Sequence, residues 1–380
     1  MSCTLSIAMA GGGTGGHVIP ALAVARELRK RGHAPFFIGT RQGIEARLVP
    51  PEGFPIEWIR IGGLQKVGIA RALRTLWQVP WSTATVLSIF KSRRPQAVFS
   101  MGGYAAAPVM LAAGISRIPV ILMEPNAIPG LVNRWLGRFA ARALLSFDEA
   151  ARYFPPGRTE QTGLPVREQF LSVPAKHRGD TLVLLITGGS RGSRRLNQAA
   201  RESWPLFRRS NFRIRFIHQT GAEEYEELAY EFRRSGLEGT IAPFIEDMAA
   251  AFAEADLLVC RSGAGAVAEL AAAGRPAILV PFPFAADQHQ LRNAEAFARA
   301  GAARVVPDAE CTGERLFREI TSLAAEPGLL ERMGLAARNF ARPGAAARAA
   351  DLLEEFGSAR LRSRMKASID SSEKSRNNTI

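Results

Sequence analysis

The sequence predicts two doubly wound α/β domains, one after the other. Three observations predict it. Short apolar runs of strand length alternate with stretches of helical apolar spacing, the pattern of a parallel sheet covered by helices on both faces. That pattern begins twice, near residue 5 and again near residue 181, each time as a strand running into glycines and then a helix. At 380 residues the chain also exceeds one ordinary domain and fits two.

Leu5–Ala10 is the first apolar run. Val18–Leu28 follows with apolar residues at helical spacing and ends in Arg29-Lys30-Arg31-Gly32, a helix stop. Pro35–Ile38, Ala97–Met101 and Pro119–Met123 are the next buried-strand candidates. Residues 161–178 concentrate glycine, proline and charge and read as the linker. Beyond it come Thr181–Thr187, Ile214–Gln219, Thr240–Phe244, Leu257–Cys260 and Ala277–Val280, with helical pattern between them. After Gly357 the chain turns polar and rich in Ser and Arg, so a frayed or disordered tail is expected.

Hydrophobic residues at 47% and charged residues at 22% exclude disorder, collagen and coiled coil as the whole answer. Three scattered cysteines give no disulfide framework and no CxxC metal site, which fits a reducing compartment. No basic residue precedes Arg26, so no signal-peptide n-region is expected. Residues 95–116 carry no charge and are long enough to span a bilayer. They also hold Gly102, Gly103, Pro108 and Gly114, and read as strand, turn and helix instead.

The net charge of +14 is unevenly spread: residues 1–160 hold 19 Lys and Arg against 8 Asp and Glu, a net of +11. Residues 161–357 come to −1 (24 against 25) and residues 358–380 to +4 (6 against 2). The asymmetry points to an anionic partner for the first half: lipid, nucleic acid or a phosphorylated substrate. The scarcity of Lys fits equally an arginine-rich composition without such a partner.

Gly11-Gly12-Gly13-Thr14-Gly15-Gly16-His17 joins a strand to a helix, where backbone N–H groups and the helix N-terminus favour an anion. It satisfies GxGxxG, but a dinucleotide site calls for an acidic residue at the end of the second strand, and Gly39-Thr40-Arg41 supplies none. Arg41 keeps an NADP reading open, and a purely structural turn is the other alternative. His17 begins the helix, where imidazolium is disfavoured and a neutral ring can accept a proton; a structural cap is the bland reading. Gly102-Gly103-Tyr104 and Gly188-Gly189-Ser190-Arg191-Gly192-Ser193 are further glycine turns after strands. Three such loops at strand ends favour a phosphate-rich substrate.

The densest segment is 260–293. Cys260-Arg261-Ser262-Gly263-Ala264-Gly265 leaves a strand into a helix carrying Glu269, and Asp287-Gln288-His289-Gln290 and Asn293 follow. A carboxylate one turn into a helix can chelate a ribose diol, and amides on the next helix can meet sugar hydroxyls; either can also be a solvated face. Asp-x-Asp, HExxH, Gly-x-Ser-x-Gly and Walker A patterns are all missing.

These residues carry a resemblance. GGGTGGH, GGYAAAP, EPNAIPG with Asn133, TGLPVR, GGSRGS with Asn197, PFIEDM, and CRSGAGAVAE through AAAGRPAILVPFP to DQHQ resemble the MurG family, in its order, over roughly residues 5–350. These are UDP-N-acetylglucosamine transferases acting on undecaprenyl-pyrophosphoryl-N-acetylmuramoyl pentapeptide. The resemblance implies the GT-B fold, two facing Rossmann-like domains with a cleft between them. It implies residues 1–162 as the acceptor and membrane domain, 163–340 as the UDP-GlcNAc domain, 341–357 as a helix packing back on the first domain, and 358–380 as a basic tail. It further implies an inverting, metal-independent transfer with no cofactor and no nucleic acid, whose partners are UDP-GlcNAc and undecaprenyl-linked lipid I. His17 matches the proposed base, and Thr14, Gly15 and Gly16 the nucleotide-sugar loop. Asn126, Arg167, Ser190, Ile245 (whose backbone would read uracil), Gln290, and Ala264, Gly265, Ala266, Val267, Ala268 and Glu269 match the donor site, Glu269 as the ribose ligand. Gly102, Gly103 and Tyr104 are assigned to the acceptor diphosphate. Relatives carry His where Met123 stands, Gln at Pro125, and Thr and Ser at Ala266 and Ala268. The anion site at that last helix must therefore rely on backbone alone. Arg167, and Arg261 on position alone, are the cations available to a departing diphosphate.

A lipid-linked acceptor brings its enzyme to a membrane. Residues 64–94 offer Leu64, Ile69, Leu73, Leu76, Trp77 and Trp81 among other large apolar residues, with Lys66, Arg71, Arg74, Lys91, Arg93 and Arg94 around them. Part of this stripe is expected to be core. With the +11 balance it predicts peripheral attachment to an anionic surface, the cytoplasmic face of the cell membrane.

Overall fold

The computed structural model describes residues 4–62, 69–177 and 179–377. The chain divides into two compact units, Met1–Pro165 with Gly344–Ile380, and Val166–Pro343. The first holds seven strands: β1 (Ser6–Gly11), β2 (Ala34–Gly39), β3 (Ile56–Trp58), β4 (Ala97–Gly102), β5 (Val120–Glu124), β6 (Arg142–Leu145) and β7 (Thr159–Gln161). All pair in parallel, in the order 3-2-1-4-5-6-7. The second holds β8 (Leu182–Thr187), β9 (Ile214–Gln219), β10 (Glu238–Ala242), β11 (Leu257–Cys260), β12 (Ala277–Leu279) and β13 (Ala303–Val305), parallel in the order 10-9-8-11-12-13.

The central strands are buried on both faces and read as continuous apolar runs, as parallel sheets require. Each sheet has its own core. Val98, Val109, Leu122 and Phe90 lie in the first, and Leu184, Phe207, Phe216 and Leu257 in the second. Strand order reverses between β1 and β4 in one sheet and between β8 and β11 in the other. Ligands of such sheets bind at those switch points, beyond the strand C-termini.

Four strands differ from the sequence reading by being absent from it. β3, β6, β7 and β13 are three or four residues long and carry charge or polarity (IEW, RALL, TEQ, ARV), too little for a periodicity signal. β10 also begins at Glu238 rather than Thr240. There Gly239, at φ +151°, lies flat on Phe216, whose backbone a side chain would strike.

The chain returns to the first unit as one helix, Ala345–Asn377. Its Leu352 and Leu353 are buried, Arg31 pairs with its Asp351 at 2.6 Å, and His33 Nε2 meets its Glu354 at 2.9 Å. Gly357 sits inside this helix because a Cβ there would come within 3.1 Å of Leu5. The tail expected to fray from residue 358 continues as helix to Asn377. No Gly or Pro interrupts residues 358–377, so nothing in the sequence stops the helix. Residues 95–116 fold as β4, a glycine turn and the helix Ala106–Ile115. Among the described residues no helix is long and apolar enough to cross a membrane.

Candidate active site

In the first unit, the loops after β1 and β4 meet at the switch point. Gly13 takes φ +93°, and a Cβ there would lie 2.8 Å from the Tyr104 ring. Gly103, at φ +78°, faces His17, with Nδ1 only 3.1 Å from where its Cβ would stand. Thr14 caps the helix Gly15–Lys30 through its carbonyl, which accepts from the His17 and Val18 amides. The structure therefore brings Thr14, Gly15, Gly16 and His17 together with Gly102, Gly103 and Tyr104. His17 Nδ1 lies 3.4 Å from the Gly12 carbonyl and 3.5 Å from Thr14 Oγ1. A carbonyl only accepts, so the first contact calls for Nδ1–H, which in the neutral ring leaves the lone pair on Nε2, whereas the Thr14 hydroxyl can serve either tautomer.

Behind Gly102 lies a buried polar group. Glu124, at the end of β5, accepts from Asn126 N at 2.9 Å and from Asn133 Nδ2 at 2.7 Å. Burial pushes its carboxyl up to about 7, against the pull of those donors and of the Gly130 amide. Gly102 has no room for a side chain because Asn133 occupies that space. Asn126 is thus tied to Glu124, a carboxylate the sequence reading quoted in its motif without giving it a task.

In the second unit, Ser190 is exposed in the loop after β8. That loop interlocks with the end of β9. Gly192 (φ +72°) packs on the Thr220 carbonyl and Gly221 (φ +79°) on the Arg191 carbonyl, both too closely for a Cβ. Gln219 is buried beneath it. Its Nε2 donates to Gly189 O (2.8 Å) and Thr187 Oγ1 (3.1 Å), and its Oε1 accepts from Ile245 N (2.8 Å). The Ile245 amide is therefore engaged inside the protein, and a base read at this backbone would meet the carbonyl.

The helix Ala264–Ala273 begins after β11 without a side-chain cap. Its first turns are Ala264, Gly265, Ala266, Val267, Ala268 and Glu269, and Val267 is core. Arg167 donates through Nη2 (2.7 Å) and Nε (3.1 Å) to one oxygen of Glu269, Oε1. Burial pushes the Glu269 carboxyl up, and Arg167 pulls it back. Gln290 Oε1 accepts from Phe282 N at 3.0 Å, which orients its amide. Arg261 is committed to the scaffold. Its guanidinium pairs with Asp308 Oδ1 (2.5 Å) and donates to Ser193 Oγ (2.8 Å) and Val280 O (3.1 Å). Among the described residues no group of three or more His, Cys, Asp or Glu stands ready to hold a metal ion.

A third region is the surface of the helix Ile69–Arg93. Leu64 and Lys66 lie outside the described residues, and Ile69, Arg71, Leu73, Arg74 and Leu76 are described as helix backbone only. The remainder splits into two faces. Val86 and Phe90 are core, whereas Trp77 and Trp81 are 76% and 74% exposed. Arg93 is paired with Glu57 at 2.7 Å. The sequence reading missed a neighbouring ridge. Leu131, Trp135 and Phe139 recur every four residues and are exposed, with Arg138 stacked on Phe139. The helix Ala106–Ile115 packs against both Ile69–Arg93 and the helix Leu131–Leu136, and its last residue, Ile115, is also exposed. The four-residue recurrence was the available signal; it reads as a core stripe until the opposite face, Val132 and Leu136, proves to be the packed one.

Two parallel doubly wound units, each with glycine loops at its switch point, are the parts of the GT-B fold, which many sugar-transferring enzymes use. The model of the glycosyltransferase family 28 N-terminal domain matches residues 7–145, and that of its C-terminal domain matches residues 183–352. The chain belongs to glycosyltransferase family 28. It is 62% identical, over 92% of its length and 96% of the relative's, to the UDP-N-acetylglucosamine–N-acetylmuramyl-(pentapeptide) pyrophosphoryl-undecaprenol N-acetylglucosamine transferase of Solibacter usitatus (strain Ellin6076). The crystal structure of Acinetobacter baumannii MurG superposes with a TM-score of 0.78 at 33% identity, covering 92% of this chain and 99% of that one. A UDP-N-acetylglucosamine 2-epimerase shares the fold, with a TM-score of 0.63 at 15% identity over 94% of this chain and 97% of that one.

Proposed function

We propose that the protein transfers N-acetylglucosamine from UDP-N-acetylglucosamine to the C4 hydroxyl of undecaprenyl-pyrophosphoryl-MurNAc-pentapeptide, lipid I, forming lipid II for peptidoglycan. The observation that carries this reading is the 62% identity to the Solibacter usitatus transferase, spanning both units.

In the reaction the acceptor O4 attacks the anomeric carbon as its proton passes to His17 Nε2. The bond from that carbon to the β-phosphate oxygen breaks, and the electron pair leaves with UDP, inverting the centre. The geometry around His17 supports this role, since Nδ1 facing a carbonyl leaves Nε2 as the basic nitrogen. Residues 166–343 bind the donor. Glu269 chelates the ribose diol, the backbone at Ala264–Ala268 and Arg167 meet the diphosphate, Ile245 meets the uracil, and Gln290 meets the sugar. Thr14, Gly15, Gly16, Asn126 and Ser190 complete the donor contacts, and Gly102–Tyr104 receive the acceptor diphosphate. Residues 1–165 bring the enzyme to an anionic membrane surface through Trp77, Trp81 and the ridge at Trp135 and Phe139, at the cytoplasmic face.

The test is incubation with labelled UDP-N-acetylglucosamine and a short-chain lipid I analogue. One UDP released per β-linked disaccharide formed is expected, with turnover unchanged by chelator. Epimerised or hydrolysed sugar without transfer overturns the reading.

A further inference from the structure

Glu45 has no place in the chemistry above, yet it lies directly under the first glycine loop. It is 1% exposed, on the short helix Glu45–Leu48. Three donors converge on its carboxylate: Thr40 N at 2.8 Å and Thr40 Oγ1 at 2.9 Å on Oε1, and Gly13 N at 2.9 Å on Oε2. Three glycines make room for it. A Cβ on Gly12 would lie 2.7 Å from Oε1, one on Gly39 2.6 Å from Cγ, and one on Gly43 would overlap the carboxylate. A carboxylate buried at this density of donors is held in one position.

The Gly12–Gly13 peptide is trans, so its N–H and C=O point in opposite directions. Its N–H points at Glu45. Its C=O faces the other way, to His17 Nδ1 at 3.4 Å. Gly103 leaves space for this contact, since its Cβ would stand 3.4 Å from the Gly12 oxygen and 3.1 Å from Nδ1. The 3.4 Å separation is long for a hydrogen bond, and catalytic hydrogen bonds commonly tighten only when substrate is bound.

We propose that Glu45 is a positioning residue for His17, acting through the Gly12–Gly13 peptide to hold the ring in its Nδ1–H tautomer with Nε2 toward the acceptor. The inference rests on the reading of His17 as the base. The carboxylate fixes the peptide plane, and the hydrogen bond it accepts polarises the peptide and strengthens the carbonyl as an acceptor. The arrangement does through a peptide group what a carboxylate does directly for a catalytic imidazole elsewhere. It also means that the Gly13 amide is turned inward and does not cradle a phosphate.

The experiment uses the full chain labelled with ¹⁵N-histidine. The protein has five histidines, and the His17 resonances are those lost in His17→Ala. The wild type should show His17 as the Nδ1–H tautomer. Glu45→Gln keeps the volume but turns one acceptor into a donor facing N–H or O–H. It should shift the ring toward Nε2–H and lower kcat by about tenfold or more. The UDP dissociation constant, read by calorimetry, should stay within about twofold because the contacts assigned to uracil and ribose, Ile245 and Glu269, lie in the other unit. Nε2–H in the wild type, or an unchanged tautomer and kcat in Glu45→Gln, overturns the proposal. Should Glu45→Gln fail to fold, Thr40→Val decides. It removes one of the three donors, and an unchanged tautomer and kcat there leave Glu45 a folding residue only. If His17→Ala keeps near-wild-type turnover, the base reading fails. If His17→Ala loses turnover while Glu45→Gln keeps the wild-type kcat and tautomer, the relay alone fails.

Discussion

In the first unit a buried carboxylate, Glu45, holds the glycine loop after the leading strand; in the second a buried amide, Gln219, holds its counterpart. Both are 1% exposed and both tie three backbone segments together. The chemistry differs. Glu45 only accepts and gathers donors, whereas Gln219 accepts from Ile245 and donates to Gly189 and Thr187. The Glu45 carboxylate turns the Gly13 amide inward, while the carbonyl of the same peptide meets His17. The Gln219 amide instead engages the Gly189 carbonyl and the Ile245 amide. The difference teaches that similar glycine loops on similar sheets are held by different chemistry, an acceptor-only carboxylate in one unit and a donor-acceptor amide in the other, which suits the proposed base in the first and the proposed nucleotide contacts at Ile245 in the second.

The sharpest way to break this division is His17→Ala. It should lower kcat by roughly 10²–10⁴ while UDP affinity changes little. Turnover near wild type would leave His17 a structural cap and remove the catalytic half of the comparison.

Acid and base should also pull the two units in opposite directions. Burial pushes Glu124, in the first, up to about 7 from 4.5. Its contribution is fully present below pH 4.5 and is lost as pH rises through 7, a difference of about 3 kcal/mol. His218, in the second, is buried against Asn197 Oδ1 at 3.0 Å, and burial pushes it down to about 3 from 6.5. Its contribution is present above pH 6.5 and is lost as pH falls toward 3. Calorimetry of Glu124→Gln and His218→Gln against wild type between pH 5 and 8 reads the difference. The wild type should lose stability relative to Glu124→Gln as pH rises, and relative to His218→Gln as pH falls. Parallel pH dependences would show that neither group titrates as placed.

Glu269→Ala mirrors His17→Ala. Its loss leaves Arg167 without its partner and, on the proposed reading, a ribose diol without its acceptor, so UDP binding should weaken by about 1–3 kcal/mol. Unchanged calorimetric affinity for UDP would remove Glu269 from the donor site.

How much of this was legible in sequence follows from distance along the chain. The three glycine loops and most central strands are local signals, and each appears where the residues place it. Glu45 and Gln219 were not legible, because their roles exist only once residues 12–13, 39–40 and 43, or 187–189 and 245, converge in space. Arg261 was readable as a cation but not as one already committed to Asp308 and Ser193. The apolar stripe in residues 64–94 was half legible, since apolar periodicity marks both a packed and an exposed face, and only packing tells Phe90 from Trp77.

The smallest expected effect tests the charge contrast between the halves, +11 over residues 1–160 and −1 over 161–357. The structure shifts the choice of cation. Arg93 is tied to Glu57, so its replacement would disturb the fold as well as the surface. Arg138 is exposed and stacks on Phe139 in the ridge with Trp135, where a cation beside an aromatic suits a headgroup boundary. Sedimentation of the full chain with vesicles of anionic and of neutral lipid is the measurement. Arg138→Gln should cost about 1 kcal/mol, or roughly fivefold in partitioning, on anionic vesicles only, and less at high salt. Trp77→Ser should weaken binding to both lipids, because it removes apolar area rather than charge. Arg209→Gln, an exposed cation of the second unit, should change nothing. Equal losses from Arg138→Gln and Arg209→Gln would mean that net charge, not a surface of the first unit, holds the protein to lipid.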